Sequence, residues 1–311
     1  MAGPRYAIDL FSPFCGRLTF QGWVADENVA KLELRLEGDA YPLQSFGQAS
    51  PDVAAIIPGA DCVRFAENID IQSKDNVVHR ARLAIIYKNG NVFEIADLGG
   101  GADPARELTH RFPTLLGTTS HGTMLEVGSR ARSGLVNRSF VPSEWDYVGL
   151  DVLPGENVDV VGDAHELSSI FPERRFDAVM AFSVLEHIAM PWKFAIELNR
   201  VLNIGAVGLF TTHQAWPIHD APWDFWRFSN DSWKSLFNRE TGFEIVDAKM
   251  GEAGFIVAQR CHAATNFGLQ SSYLASNVIV RKIGETELRW PVKMADINDS
   301  SYPKHEEQFS R

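Results

Sequence analysis

Cysteine is scarce in this chain: three in 311 residues (Cys15, Cys62 and Cys261), far apart and without C-x-x-C spacing. That excludes a disulfide framework and a cysteine-built zinc site. No apolar run reaches the roughly 18 residues a membrane-spanning helix needs. The N-terminal MAGPRYAIDLF has no long apolar core of the signal-peptide kind, so a cytoplasmic protein is expected. Positive charge is also in short supply, with 29 Lys and Arg against 40 Asp and Glu and a net charge of −11. A nucleic-acid partner is therefore not expected, because a polyanion calls for a basic footprint. The densest basic cluster is RARSGLVNR, Arg130–Arg138. Repeats and low-complexity tracts are missing too, and the length leaves room for two domains.

What is present falls into two patterns. Over the first hundred residues, LTFQGWVAD, VAKLELRLEG, CVRFAENIDI, HRARLAIIYKNG and NVFEIADL alternate with the period of a strand. Lys88-Asn89-Gly90-Asn91 reads as a hairpin turn, Asn-Gly supplying the positive φ of a tight reversal. Strands at this spacing predict a small β-sandwich over residues 1–100. Gly99-Gly100-Gly101 ends that pattern, and Pro104 to Leu116 reads as a connecting helix within a linker, 101–121. From Thr123 strands and helices alternate: Thr123–Val127, Tyr147–Asp151, Ala178–Phe182 and Val207–Thr212 are apolar runs. Phe194, Leu198 and Val201 recur at helical spacing between the last two. An α/β fold is expected over 122–290, a Rossmann-like, mostly parallel sheet with helices on both faces and Phe243–Val246 and Ser276–Val280 as closing strands. Residues 291–311 read as a loose polar tail.

The most informative stretch is MLEVGSRARSG, Met124–Gly134, followed by YVGLDV and VVGDAHEL. One strand ends at Glu126 and Gly128, the next at Asp151, 23 residues after that glycine, and a third at Asp163. A glycine turn lets a ligand approach the backbone, and a carboxylate about 20 residues on accepts ribose hydroxyls. The dinucleotide form of this turn keeps three glycines to seat a pyrophosphate. Gly128-Ser129-Arg130-Ala131-Arg132 keeps one, which favours an adenosine ligand without phosphates. With FDAVMAFSVLEHI, Phe176–Ile188, these pieces resemble the class I S-adenosylmethionine-dependent methyltransferases, over roughly Gly122 to Val280. The resemblance implies S-adenosylmethionine as cofactor. It implies Glu126, Gly128, Ser129 and Arg130 at its methionine end, Asp151 and Val152 at the ribose, Asp163 and Ala164 at the adenine, and Phe182 and Ser183 at the exit of the fourth strand. Arg130 and Arg132 stand where the commoner family loop has glycines. Gly22-Trp23 through Ser50–Ala54 is similar to an Ig-like module found beside enzymes of bacterial surface-polysaccharide synthesis.

WPIHDAPWDFWRFSNDSW, Trp216–Trp233, holds four of the eight tryptophans, interleaved with His219, Asp220, Asp224 and Arg227. Following a strand end, it belongs at the ligand-binding edge of the sheet. H-x-x-P-x-D-F-W-R-F resembles the acceptor-side segment of methyltransferases linked to surface glycans, and Trp223, Trp226 and Arg227 are the expected acceptor contacts. A hydroxyl acceptor must lose a proton, and histidine is the natural base. His219 and His187 are the candidates, with Asp224 behind them and His213 able to substitute. No metal ligand set is assigned and none is required, although Asp220 and Asp224 leave a metal-assisted version open. The reading is an O-methyltransferase acting on a sugar or glycan intermediate. Another small-molecule or lipid methyltransferase, or a non-catalytic cofactor- or glycan-binding protein, are the alternatives. A homo-oligomer is compatible with the composition.

Overall fold

The structure is a computed structural model describing residues 4–14, 16–57, 62–72, 74–99, 103–117, 120–132, 134, 136–257, 271–298, 300 and 302. Cys15, Cys261 and His262 lie outside the described residues. The chain divides into two compact units, Met1–Ala102 and Asp103–Arg311.

The first unit is all-β apart from short helical turns, α1 being Pro51–Ile56. Its strands are β1 (Arg5–Phe14), β2 (Arg17–Ala25), β3 (Val29–Leu36), β4 (Asp39–Pro42), β5 (Gln48–Ala49), β6 (Cys62–Asp70), β7 (Arg82–Tyr87) and β8 (Val92–Ile95). They form two antiparallel sheets, β1-β2-β6-β5 and β4-β3-β7-β8. Period-two alternation turns Leu18, Phe20, Phe65 and Ile69 of one sheet and Leu32, Leu34, Leu83 and Ile85 of the other into a shared core. The expected reversal joins β7 to β8, with Gly90 at φ 85°.

The second unit is built on a seven-stranded Rossmann-like sheet. Its strands are β9 (Thr123–Val127), β10 (Asp146–Asp151), β11 (Val160–Val161), β12 (Phe176–Phe182), β13 (Leu202–His213), β14 (Phe243–Phe255) and β15 (Ser271–Lys282). The order is β11-β10-β9-β12-β13-β15-β14, parallel except for β15, which runs antiparallel to both its neighbours. Alternate residues serve opposite faces, as a sheet covered on both sides requires. Leu125, Val127, Val179, Ala181, Phe210, Val278 and Val280 pack with Phe194, Leu198 and Trp233 of two helices, α4 (Pro191–Val201) and α5 (Asn230–Leu236). The short α3 (Leu167–Ile170) supplies Leu167 to the same core. On the other face Met124, Ala178, Met180, Leu209 and Ile279 pack against α2 (Pro104–Leu116).

Two expectations need correction. The helix read as a connector is part of this second core: Ala105, Leu108, Phe112 and Leu116 repeat at i, i+3 and i+4 and are all buried. Asp103 caps it through the Arg106 N–H (2.9 Å), and Asn277 Nδ2 on β15 donates to the Ala105 carbonyl (3.0 Å). The tail read as loose is packed where it is described. Met294 is buried with Ala189 and Trp223, Tyr302 packs on them, and Lys193 Nζ donates to the Val292 carbonyl (2.8 Å). These contacts join residues nearly a hundred positions apart, beyond the reach of any local pattern. Phe112→Ala should lower the unfolding free energy by about 3–5 kcal/mol. Urea denaturation checks this, and an unchanged midpoint would return α2 to the role of a connector.

Candidate functional site

The sheet places a crevice where the chain order reverses: β10 and β11 follow β9 to one side, β12 and β13 lie on the other. Ligands bind outside the strand ends at such a point. A cavity of about 580 Å³ opens there, lined by the exits of β9, β10, β12 and β13 and by the loop that follows β13. It has an acidic end and an imidazole end.

At the acidic end, Gly128 ends β9 with φ 76°, a conformation glycine adopts without penalty. A Cβ there would lie 2.1 Å from Val184 Cγ2, so the turn closes directly on the exit of β12. The Gly128 and Ser129 N–H groups both donate to the Leu150 carbonyl (2.8 and 3.1 Å), fixing the turn beside Asp151. Asp151 Oδ1 accepts from the Leu153 N–H (2.9 Å), while Oδ2 has only a long contact to the Arg130 N–H (3.4 Å). Arg130 Nε lies 3.5 Å from Asp151 Oδ1 and donates to no closer partner, so this arginine lies along the carboxylate. Asp163 Oδ1 accepts from the His165 N–H and Nδ1–H (2.9 and 2.6 Å). Burial alone would raise the Asp163 carboxyl, but His165 outweighs it and holds it below the usual range. His165 Nε2 accepts the Met190 N–H (3.2 Å), which assigns its proton to Nδ1. Val152, Ala164, Phe182 and Ser183 complete this part of the lining.

The imidazole end gathers His187, His213 and His219 with Trp216 and Trp223. His187 Nδ1 donates to the Trp223 carbonyl (2.7 Å), leaving Nε2 as a lone pair, and burial holds this imidazole below its ordinary value. The His187 and His219 rings meet edge to face at 4.8 Å. His213 stacks on Trp216 at 4.7 Å, and Trp216 as a residue is 40 % exposed. Beneath them Glu186 is fully buried, accepting from Thr212 Oγ1 (2.6 Å) with His213 Nε2 at 3.2 Å. Burial works against its charge, but these two partners prevail and keep the carboxyl below the usual range. Arg132, Asp220 and Tyr302 form a further ion-paired group at the cavity wall, with Tyr302 Oη donating to Asp220 Oδ2 (3.1 Å).

Several expected residues stand elsewhere. Glu126 is buried under the loop, bonded to Tyr147 Oη and to Asn137 Nδ2 (2.7 Å), because its position on β9 faces α2's side of the sheet; Asn137 lines the cavity instead. Ser129 is buried, its Oγ turned toward Gly149. Asp224 is no candidate base. Burial opposes its charge, but Arg227 and the His219 N–H overcome that and hold the carboxyl down to about 2. Arg227 donates to both Asp224 oxygens and to the Trp216 and Pro217 carbonyls, so the pair staples the loop and does not face the cavity. Trp226 is also outside the lining, its Nε1–H on the Ala189 carbonyl (3.2 Å). Trp223 does line the cavity but is 8 % exposed, a wall more than a platform. Of the unanticipated residues, His165 and Trp216 adjoin recognised motifs and were within reach of sequence reasoning. Asn137 and Tyr302 carried no local signal.

Residues 97–210 match the family described as "methyltransferase domain". No curated protein matches the chain. Among solved structures, a putative methyltransferase from Bacillus halodurans C-125 is similar at 17% identity, covering 56% of this chain and 100% of that one, with a TM-score of 0.40. An S-adenosylmethionine-dependent methyltransferase from Archaeoglobus fulgidus is similar at 14% identity over 57% and 94%, TM-score 0.41. The N-methyltransferase NodS from Bradyrhizobium japonicum WM9 is similar at 14% over 58% and 96%, TM-score 0.37. The match over residues 97–210 alone makes the chain a methyltransferase, with S-adenosylmethionine as its cofactor. The donor set fits that group: a main-chain turn at Gly128, and Asp151 Oδ2 without a close donor.

Burial raises the Glu126 carboxyl above the ordinary glutamate range, its bonds notwithstanding. The native state therefore holds this proton more tightly than the unfolded chain does. Its stabilising contribution is full below the unfolded pKa and is lost as pH rises through the raised folded value. Glu126→Gln should remove that slope, gaining on the wild type in urea denaturation as pH increases from 4 to 7. A constant difference across that range would show that Glu126 keeps an ordinary pKa in the fold.

Proposed function

We propose that this domain transfers the methyl group to a hydroxyl of a sugar or glycan intermediate. The observation that carries the reading is a single cavity with two unlike ends, one acidic and floored by the Gly128 turn, the other lined by imidazoles and an exposed tryptophan face.

In this reading Asp151 Oδ2 accepts the ribose hydroxyls. Asp163 and Ala164, with Val152, flank the adenine. Gly128, Ser129 and Arg130 offer main chain toward the methionine end, with Phe182 and Ser183 opposite. Glu126 acts through Asn137, which it holds at the wall. S-adenosylmethionine supplies a methyl already activated on its sulfonium, so orientation of the acceptor accounts for most of the barrier reduction. Trp216 presents the C–H-binding face that a pyranose ring packs against, taking the part expected of Trp223 and Trp226. Loss of the hydroxyl proton falls to the imidazole end, since Asp224 is committed to Arg227. Arg132 is neutralised by Asp220, which Tyr302 also holds, and this supports a neutral acceptor over an anionic one. The all-β unit is the accessory module of such an enzyme.

Asp151→Ala should weaken S-adenosylmethionine binding at least tenfold, since two charge-assisted hydrogen bonds of about 1.5–3 kcal/mol each are lost. His187→Ala should leave that affinity in place and slow acceptor turnover by about 10²–10⁴-fold. Trp216→Ala should raise the acceptor KM more than it lowers kcat. Calorimetry with the cofactor measures the first. The others need an acceptor, found by mass spectrometry of sugar nucleotides, oligosaccharides, lipids and small phenols incubated with labelled cofactor. Methylation confined to lipids or phenols would overturn the glycan reading.

A further inference from the structure

We propose that Glu186, His187 and His219 hold a divalent transition-metal ion at the imidazole end of the cavity. The proposal rests on the methyltransferase reading and gives the acceptor end a different chemistry from the metal-free base catalysis expected from the sequence. One donor atom from each of the three residues lies within 4.8 Å of the others. Ligands around an ion at about 2.0–2.2 Å sit about 3–4 Å apart, so the three would draw together by roughly an ångström on binding.

Three features support ligation over mere proximity. His187 Nδ1 donates to the Trp223 carbonyl (2.7 Å). His219 Nδ1 lies 3.1 Å from the Pro217 carbonyl and 3.3 Å from Asp224 Oδ2. Each contact fixes the tautomer that leaves Nε2 as a lone pair, the arrangement by which proteins orient histidine ligands. Glu186 is fully buried, and its Oε1 accepts no well-directed hydrogen bond, with only His213 Nε2 at 3.2 Å. A buried carboxylate oxygen left this way is costly without a further partner. An ion pair with His213 would account for Glu186 alone, but not for two further histidine donor atoms within 4.8 Å of it and of each other. Two imidazoles and one carboxylate suit Mn²⁺, Fe²⁺, Co²⁺ or Zn²⁺ better than Mg²⁺ or Ca²⁺, which prefer all-oxygen shells. Three protein ligands leave positions open for an acceptor oxygen, the condition of a working metal site.

The test uses the untagged full-length protein, stripped with chelator and titrated calorimetrically with Mn²⁺, Zn²⁺ and Mg²⁺. Co²⁺ absorption serves as a second readout, and each protein is also titrated with S-adenosylhomocysteine. One Mn²⁺ or Zn²⁺ per chain is expected, with Mg²⁺ weaker. His187→Ala and His219→Ala should each bind the ion at least tenfold more weakly. His219 decides the matter, being only half-buried, whereas Glu186→Gln disturbs a fully buried position. Wild type that takes up none of these ions, or variants that bind as tightly as wild type, would overturn the site. S-adenosylhomocysteine binding separates the two ideas: its loss in the wild type counts against the methyltransferase reading, its retention without metal binding against the metal alone.

Discussion

The close approach of two strand ends at Gly128 is the constraint on which the cavity depends. Val184 occupies the space a side chain at position 128 would fill, so the exits of β9 and β12 are in van der Waals contact. Two N–H groups of the same turn converge on one carbonyl of β10. Three neighbouring strands are thereby tied at their carboxyl ends, and the carboxylate of Asp151 is carried to the wall. Arginine at 130 and 132 is tolerated because neither side chain has to pass through this contact. Arg130 lies along Asp151, and Arg132 turns to Asp220. Only the first position of the loop needs to be glycine here.

Glu186 plays the corresponding part at the opposite end. Its carbonyl accepts the N–H groups of Phe225 and Trp226 (2.8 and 3.2 Å), while its carboxylate holds Thr212 and faces His213. The exit of β12, the end of β13 and the aromatic loop therefore meet on one residue. Asp224 and Arg227 close that loop internally, which explains why the most conspicuous charged pair of the segment does not reach the cavity. Residues that looked chemical in the sequence hold the frame, and their neighbours His187, His219 and Trp216 occupy the wall.

What could be read in advance follows from range of interaction. Strand ends at Val127, Asp151 and Phe182, the hairpin at Asn89-Gly90 and the two-unit architecture rest on local periodicity and turn chemistry, and all appear in the fold. A mid-strand carboxylate such as that of Glu126 needs a partner inside the protein. That partner is Tyr147 with Asn137, because alternation along β9 turns the side chain away from the ligand side. The docking of α2, Asn137 at the wall and Tyr302 against Asp220 are tertiary contacts that no short window encodes.

The β14–β15 hairpin pairs from Phe243–Lys282 out to Phe255–Ser271, but β13 accompanies β15 only as far as Ala275. Beyond that point the sheet continues as a two-stranded ribbon, a form with little stability of its own. It is not left alone. Gln214 and Ala215 direct their N–H groups to the Leu274 carbonyl, and Ser272 Oγ reaches Gln214. The loop bearing Trp216 thus hangs from the ribbon as well as from β13. A slip of one residue in the β14–β15 register would therefore pass through the Leu274 carbonyl to Gln214 and Ala215, and so to the loop that bears Trp216.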